Sequence, residues 1–453
     1  MKLLTLAKEI SGTVRGPDRE LGSIVTDSRK VREGDCFIAL KGEKYDGHDF
    51  ISQAITNGAK VILLQQENPV TRYVDDDVSF LRVQDTTIAL GAFAAFWRRL
   101  VSMPVIGITG SCGKTTVKGM LGAICQQQGK TLVTQGNFNN HIGLPLTLLQ
   151  LDATYQFAVI EMGANHPGEI HYLGKIAQPT ISVITTVQPA HLEGFGSVEN
   201  VAKAKGEIYD VLPEHGTAVL NIESQYSPLW RKIIKNRMII TYGLQETATV
   251  HASEINLGSD KVSFILHLRE KKQRVTLNIP GKHTVMNALS AAACADALNI
   301  SLENMIKGLE NFQGVPGRLC QLTGLHGARI IDDTYNANPG SMQAALEVLA
   351  HCQGHKMFVM GDMGELGQDA ALYHTEIGEY AKKIGIDSLY AVGKLSEFAV
   401  KAFGKQGKIY ASQEALVTDL KLQLNSKTVV LVKGSRSARM ENITNALKIQ
   451  VEC

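Results

Sequence analysis

The stretch from Val105 to Thr116 reads V-I-G-I-T-G-S-C-G-K-T-T. A short apolar run enters a glycine-containing turn, and Lys-Thr-Thr leaves it. That order commits this part of the chain to a strand, a tight loop and a helix whose first backbone N–H groups face an anion. Lys114 can reach the β- and γ-phosphates of a nucleotide, and the Thr115 hydroxyl can reach Mg²⁺. Gly110 and Gly113 permit the turn and a close approach of backbone to phosphate. The pattern G-x-x-x-x-G-K-[ST] would need glycine at 108, where Ile108 stands, and the glycines are at 107 and 110 instead. The shift changes the length of the loop and leaves its chemistry intact. Gly110, Ser111, Cys112, Gly113, Lys114, Thr115 and Thr116 are therefore candidate nucleotide contacts. The plainer alternative is a structural turn with a solvated lysine.

The surroundings repeat the strand–helix alternation. A helix is expected from Thr86 to Leu100, a strand at Val105–Ile108 and a helix from Thr116 to Gln128. Further apolar strands are expected at Phe157–Ile160, Ile181–Thr185 and Ala218–Leu220. Such a pattern predicts a parallel sheet covered on both faces. Residues 262–268 and 275–279 alternate apolar with polar, which predicts a hairpin with the basic run Arg269-Glu-Lys-Lys-Gln-Arg274 at its tip. Before this region, strand-like pieces at Cys36–Leu40 and Lys60–Leu64 flank a helix-like segment from Asp49 to Asn57, stopped by Gly58. After Gly314-Val-Pro-Gly317, strands are expected at Ala328–Ile331, Lys356–Met360, Ser388–Val392 and Thr428–Val432, a second Rossmann-like unit. The fold class expected is α/β with three domains: residues 1–83, 84–314 and 315–453.

Bulk properties narrow the function. The 453 residues are 44% hydrophobic and 20% charged, the mix of a globular chain with a full core. A net charge of +2 gives no reason to expect nucleic acid or an anionic membrane as partner. The longest apolar run, Ile88 to Trp97, is too short to span a bilayer, which needs about 20 residues, and the start of the chain lacks a signal-peptide core. The 7 cysteines are odd in number and contain no C-x-x-C, which argues against a disulfide framework or zinc site and fits a reducing cytoplasm.

Ligands of open parallel sheets bind at the carboxyl ends of the strands. Glu161 follows Phe157–Ile160 and could bind Mg²⁺, a hard cation that prefers oxygen. His191, in Q-P-A-H-L-E-G-F-G, lies past Ile181–Thr185. Asp332 and Asp333 follow Ala328–Ile331 and could bind ribose hydroxyls or metal. Lys205 alone reads as a surface lysine on a helix. Each of these residues also fits an ordinary solvated loop or surface. Gly361-Asp-Met-Gly-Glu-Leu-Gly367 is only loosely like a dinucleotide fingerprint.

Taken together, T-G-S-C-G-K-T-T, the positions of Glu161 and His191, N-A at 287–288, G-R at 317–318, D-D-T-Y-N-A-N-P and K-G-S-R-S-A-R-M-E resemble the Mur ligases of peptidoglycan synthesis over nearly the whole chain. The displaced glycine is that family's own loop spacing. D-D-T-Y-N-A-N-P-G-S-M (332–342) and V-K-G-S-R-S-A-R-M-E (432–441) are similar to the members that join D-alanyl-D-alanine to UDP-N-acetylmuramoyl-tripeptide. D-S-R (27–29) with G-D-C-F-I-A-L-K-G-E-K-Y-D-G-H-D-F (34–50) is similar to the family's UDP-binding domain.

The resemblance implies a UDP-sugar domain, a central ATPase and a Rossmann-like lid. It implies amide formation driven by ATP with Mg²⁺, through an acyl phosphate. It implies that Thr115 and Glu161 hold one Mg²⁺, that His191 helps hold a second, and that Lys205 is carbamylated to become an anionic metal ligand. Lys114 would neutralise the transferring phosphoryl group. Asn287 would lie near the adenine and phosphates, Arg318 near the γ-phosphate and Asp333 at the ribose. Ser28, Arg29 and Lys41 are implied at the uridine diphosphate end, and Asn137, Asn139 and Asn140 along the sugar–peptide path. Asn336, Asn338 and Ser435, Arg436 through Arg439 are implied on the dipeptide side. A monomer without nucleic-acid or membrane partners is expected. The alternatives are a diamino-acid-adding or folylpolyglutamate-type ligase of the same fold, or a nucleotide-switched binding protein. A UDP-sugar dehydrogenase is disfavoured, because no G-x-G-x-x-G follows a strand with an acidic residue about 20 positions on.

Overall fold

The computed structural model describes residues 1–65 and 77–449. Cys453 lies outside these residues, and the other cysteines are unbridged. Three sheets follow one another along the chain. The first has five strands in the order Thr13–Arg15, Ser79–Arg82, Val61–Leu64, Cys36–Ile38, Ile24–Val25, parallel except for the first pair.

The second sheet has nine strands and carries the phosphate loop. Its parallel part runs Met238–Gly243, Thr217–Asn221, Ile181–Ile184, Val105–Thr109, Phe157–Glu161, Thr131–Val133. These strands are apolar on both sides because both faces are covered. Ile106 and Ile108 pack with Val117, Met120 and Leu121 of the helix Lys114–Cys125 on one face. Val105 and Ile160 pack with Ile170, Leu173 and Ile208 on the other. The Ala-rich helix Lys282–Ala297 is buried along most of its length against the first of these faces. The helix Thr86–Arg99, capped by Asp85, contributes Ala89, Leu90 and Phe93 to the core of the first sheet and Ala94 to that of the second.

The basic run is not a hairpin tip. Val262–Leu268 pairs with Lys271–Leu277, so only Arg269 and Glu270 turn, and Lys271 to Arg274 belong to the edge strand. Alternation placed the apolar residues correctly but could not show that pairing extends into the charged residues, whose side chains are exposed there. Val250–Leu257, a strand whose polar–apolar pattern gives no clear signal, joins the hairpin to the parallel part.

The third sheet is ordered Cys320–Thr323, Arg329–Asp333, Thr428–Lys433, His355–Gly361, Ser388–Val392, Gly407–Tyr410, parallel except for the first pair. Among the described residues no helix is long and apolar enough to cross a membrane.

Candidate active site

The strand Val105–Thr109 delivers the chain into the loop, and the helix begins at Lys114, two residues earlier than expected. Gly113 causes this: at φ +82° it acts as the helix N-cap itself, and a Cβ there would stand 2.5 Å from Asn287 Oδ1. Gly110 sits at φ +146°, where a Cβ would fall 2.1 Å from Thr185 Oγ1. The loop is fastened to the end of the neighbouring strand. Ser111 N–H donates to Thr186 O at 2.8 Å, Cys112 N–H to Thr186 Oγ1 at 3.2 Å, and Ser111 Oγ bridges to Gln188. The first N–H groups of the helix have no intrahelical partner, which is the requirement for an anion site. Lys114 Nζ lies over the loop and donates to Gly110 O at 2.6 Å. Burial lowers its pKa and Arg318 adds to this, while Glu161 and Cys112 oppose it. Lys114 and Thr116 line the cleft described below, whereas Thr115, expected at the metal, is not among its lining residues.

Glu161 closes its strand rather than following it, and is 2% exposed. Oε1 accepts from Asn139 Nδ2 at 2.8 Å, and Oε2 lies 3.1 Å from Lys118 Nζ. Burial pushes the carboxyl toward neutrality, but the charges of Lys118 and Lys114 prevail and hold its pKa below the usual range. Lys118 was not singled out from the sequence. Its position four residues after Lys114, hence on the same helix face, was the available signal.

His191 caps the short helix Leu192–Phe195 in the left-handed region, φ 53°. Its Nδ1 lies 2.5 Å from Oε2 of Glu365, which belongs to the G-D-M-G-E-L-G segment of the third sheet's region. Lys205 is no surface lysine. It is 1% exposed within the helix Val198–Asp210, with Nζ 3.4 Å from Ala164 O and above the Phe195 ring. Burial, reinforced by Lys114, pushes its pKa down to about 7.

From the third region, Arg318 stacks on Tyr335 with its guanidinium carbon 4.2 Å from the ring centroid, and its buried Nε has no hydrogen-bond partner. Asp332 and Asp333 end their strand rather than follow it. Asp333 is paired in register with Lys433, whose Nζ contacts its carboxylate at 2.5 Å and also donates to Asn336 O. The buried lysine neutralises the aspartate expected at a ribose. Asn338 caps the helix Pro339–Ala350 in a capping box with Ser341 and touches Cys112 Sγ of the phosphate loop. Its side chain is thus already engaged. Ser435 is buried against Ser437, while Arg436 pairs with Glu441 at 2.8 Å.

These parts surround one cleft of about 950 Å³ between the second and third sheets' regions. Its walls include Lys114, Glu161, His191, Asn287, Arg318 and Asp333, with Asn137, Asn139, Asn140, Asn336, Asn338 and Arg436. Lys205 and Ser435 lie outside the lining set. Ser28, Arg29 and Lys41 are not brought to this cleft. Ser28 Oγ donates to Gln53, Arg29 forms a two-pronged pair with Asp27, and Lys41 is exposed opposite Asp46.

No three His, Cys, Asp or Glu residues cluster as a ready metal cage among the described residues. Mg²⁺ is bound through one or two carboxylates plus substrate phosphates rather than an all-protein cage. Glu161, kept ionised with a buried Oε2 that makes no regular hydrogen bond, fits that role.

A strand–loop–helix anion site, a strand-end carboxylate and a second α/β unit facing them across a cleft define a nucleotide-using α/β enzyme. Three family profiles match: Mur ligase family, catalytic domain (residues 20–98), Mur ligase middle domain (108–295), and Mur ligase, glutamate ligase domain (317–436). The chain is 41% identical over 454 aligned residues to the UDP-N-acetylmuramoyl-tripeptide–D-alanyl-D-alanine ligase of Escherichia coli (strain K12), covering 100% of this chain and 99% of that one. Among solved structures it is similar to MurF from Acinetobacter baumannii, with TM-score 0.91, 37% identity and coverage of 98% and 97%. It is also similar to the MurF ligase from Thermotoga maritima in complex with ADP, with TM-score 0.84, 30% identity and coverage of 94% and 96%. The chain belongs to the Mur ligase family.

Proposed function

We propose that the chain is the ATP-dependent ligase that joins D-alanyl-D-alanine to UDP-N-acetylmuramoyl-tripeptide in peptidoglycan precursor synthesis, acting in the cytoplasm. The observation that carries this reading is the single cleft in which the phosphate loop and Glu161 face the D-D-T-Y-N-A-N-P segment. A carboxylate is a poor electrophile, because its leaving group would be oxide. Transfer of the γ-phosphoryl group to the tripeptide carboxylate, with release of ADP, supplies a better one. The dipeptide amine then attacks the acyl carbon, the C–O bond to phosphate breaks, and the amine's proton leaves with the phosphate.

The residues suit these steps. The helix N-terminus behind Gly113 binds phosphate, and Lys114 leaves its resting place on Gly110 O to neutralise the group in transfer. Arg318, already over the Tyr335 ring with an unpaired Nε, meets the γ-phosphate from the side of the third region. Asn287, against Gly113, lines the nucleotide's path. Glu161, Thr115 and His191 would hold Mg²⁺, which supplies charge neutralisation on the phosphates when bound. Lys205, with an amine readily neutral near pH 7, is suited to carbamylation, which would replace a repelling cation with an anionic oxygen ligand. Asp333 would turn to the ribose only by sharing Lys433. Asn137, Asn139 and Asn140 serve the sugar–peptide path, and Ser28, Arg29 and Lys41 the uridine diphosphate end. Asn336 and Arg436 serve the dipeptide, with Asn338 and Ser435 shaping their loops. Domain limits at 83/84 and 314/315 accompany this reading, and closure of the third domain keeps water from the acyl phosphate.

Phosphate release from ATP and Mg²⁺ is the test. It should require both UDP-muramoyl-tripeptide and D-alanyl-D-alanine, with the amide seen by mass spectrometry. Turnover with a diamino acid in place of the dipeptide, or turnover without any coupled product, would reject it.

A further inference from the structure

The G-D-M-G-E-L-G segment takes no part in the chemistry above, yet it is built with care at its base. Asp362 Oδ1 accepts from Ser396 N–H at 2.7 Å and Ser396 Oγ at 2.6 Å, and Met363 N–H donates to the buried His374 Nε2 at 3.0 Å. Two residues further on, Glu365 stands at φ +60° and projects across the cleft onto His191, itself at φ 53°. A non-glycine residue in the left-handed region is uncommon, and here one occurs on each side of the same contact. The contact is also not isolated. Asn338 meets Cys112 beside it, and a Cβ on Gly340 would lie 2.1 Å from Gln188 Oε1, so the third region covers the 185–195 loop closely.

Resting on the reading of His191 as a residue of the nucleotide's metal site, we propose that Glu365 is a positioning residue for the ligation. From the lid side it engages Nδ1 of His191 and leaves Nε2 as the nitrogen able to act on a ligand. An imidazole has two ring nitrogens, and the partner of one sets the tautomer and orientation of the other. The His191 Nδ1 is buried and makes no hydrogen bond of regular geometry, and the Glu365 carboxylate, 2.5 Å away, is the acidic group placed to take it up. Because the two residues belong to different sheets' regions, the imidazole is held in its working orientation only while the lid is near. Completion of the site is thereby tied to closure.

The test uses the full chain with Glu365→Ala, Glu365→Gln, His191→Ala and the Glu365→Ala/His191→Ala pair. Ring ¹⁵N shifts, assigned to His191 by their loss in His191→Ala, report the tautomer, and steady-state ligation gives kcat and KM for ATP. Wild type should show a protonated Nδ1. Glu365→Ala should lose that preference and about 10–100-fold in kcat, with KM for ATP changed less than about threefold, and Glu365→Gln should lie between. The pair should be no slower than His191→Ala alone. Unaltered ring shifts and kcat in both Glu365 variants, or losses that multiply in the pair, would overturn the proposal. Glu365→Gln keeps the decision open should the alanine variant not fold. Absence of amide product with wild type would instead reject the ligase reading, and the ring shifts would still decide the contact.

Discussion

Lys118 Nζ, on the helix that leaves the phosphate loop, and Glu161 Oε2 lie 3.1 Å apart with side chains only 6% and 3% exposed. The lysine keeps the carboxylate charged until a stronger cation arrives. Removing one member of a buried pair leaves the other uncompensated, and this typically costs about 3–5 kcal/mol. Lys118→Met should therefore fall near the lower end, because Lys114 and Asn139 still face Glu161. The carboxyl pKa is depressed in the folded chain, so its contribution is complete above the unfolded carboxylate value, about 4.5, and is lost as pH falls from there through the lower folded value. Denaturant midpoints of wild type and Lys118→Met should differ at pH 7 and converge in acid. An equal gap at both pH values would refute the pairing.

Lys114→Ala removes an amine that, without nucleotide, donates to the Gly110 and Ser111 carbonyls and adds to the positive charge facing Glu161. The melting temperature should move by no more than a few degrees, while ligation falls at least about a thousandfold, the scale of losing a cation on a transferring phosphoryl group. Normal turnover would contradict the role.

Gly110→Ala places a methyl 2.1 Å from Thr185 Oγ1 at φ +146°. The Thr185 hydroxyl cannot simply yield, since its one proton is held by Cys112 O, with Thr109 O 3.3 Å away as the second acceptor. Backbone strain and overpacking together should cost about 2–4 kcal/mol and weaken ATP binding at least about tenfold, measured by calorimetric titration. Wild-type affinity would show that the loop is not the nucleotide's seat.

Lys205 carries a penalty that depends on pH. Its folded pKa of about 7 lies below the usual 10.5, so below pH 7 the chain holds a buried ammonium, and the cost is relieved as pH rises from 7 to 10.5. The full cost is up to about 5 kcal/mol at 1.36 kcal/mol per pKa unit. In CO₂-free buffer, Lys205→Met should be more stable than wild type at pH 6, with the advantage fading by pH 10. Lys205→Ala should lose ligation and recover part of it with small carboxylic acids. Activity unaffected by the substitution would count against the carbamate.

Much of this site could be read along the chain because parallel sheets display their chemistry at strand ends. Glu161, His191 and Arg318 were placed by that rule and by short strings, and they share one cleft. What escaped was whatever depends on distant pairing. Lys433 and Asp333 are neighbours only because Arg329–Asp333 lies beside Thr428–Lys433. Lys205 looked like a surface residue because one cation in a helix says nothing of its face, and that face is set by Val201, Ala202, Ile208 and Tyr209 turning toward the sheet. The strands Met238–Gly243 and Val250–Leu257 gave no clear signal because the second is half exposed, with a register shift between Ser253 and Asn256.

The edge strand Lys271–Leu277 has a consequence for how copies of the chain meet. Lys271, Lys272, Gln273 and Arg274 are exposed along the outer rim, and Thr276 N–H further along is already taken by Glu310. A like strand approaching this rim would meet its own charges and find fewer donors to satisfy. Lateral growth of the nine-stranded sheet into a fibre or a continuous dimer is therefore opposed at this border.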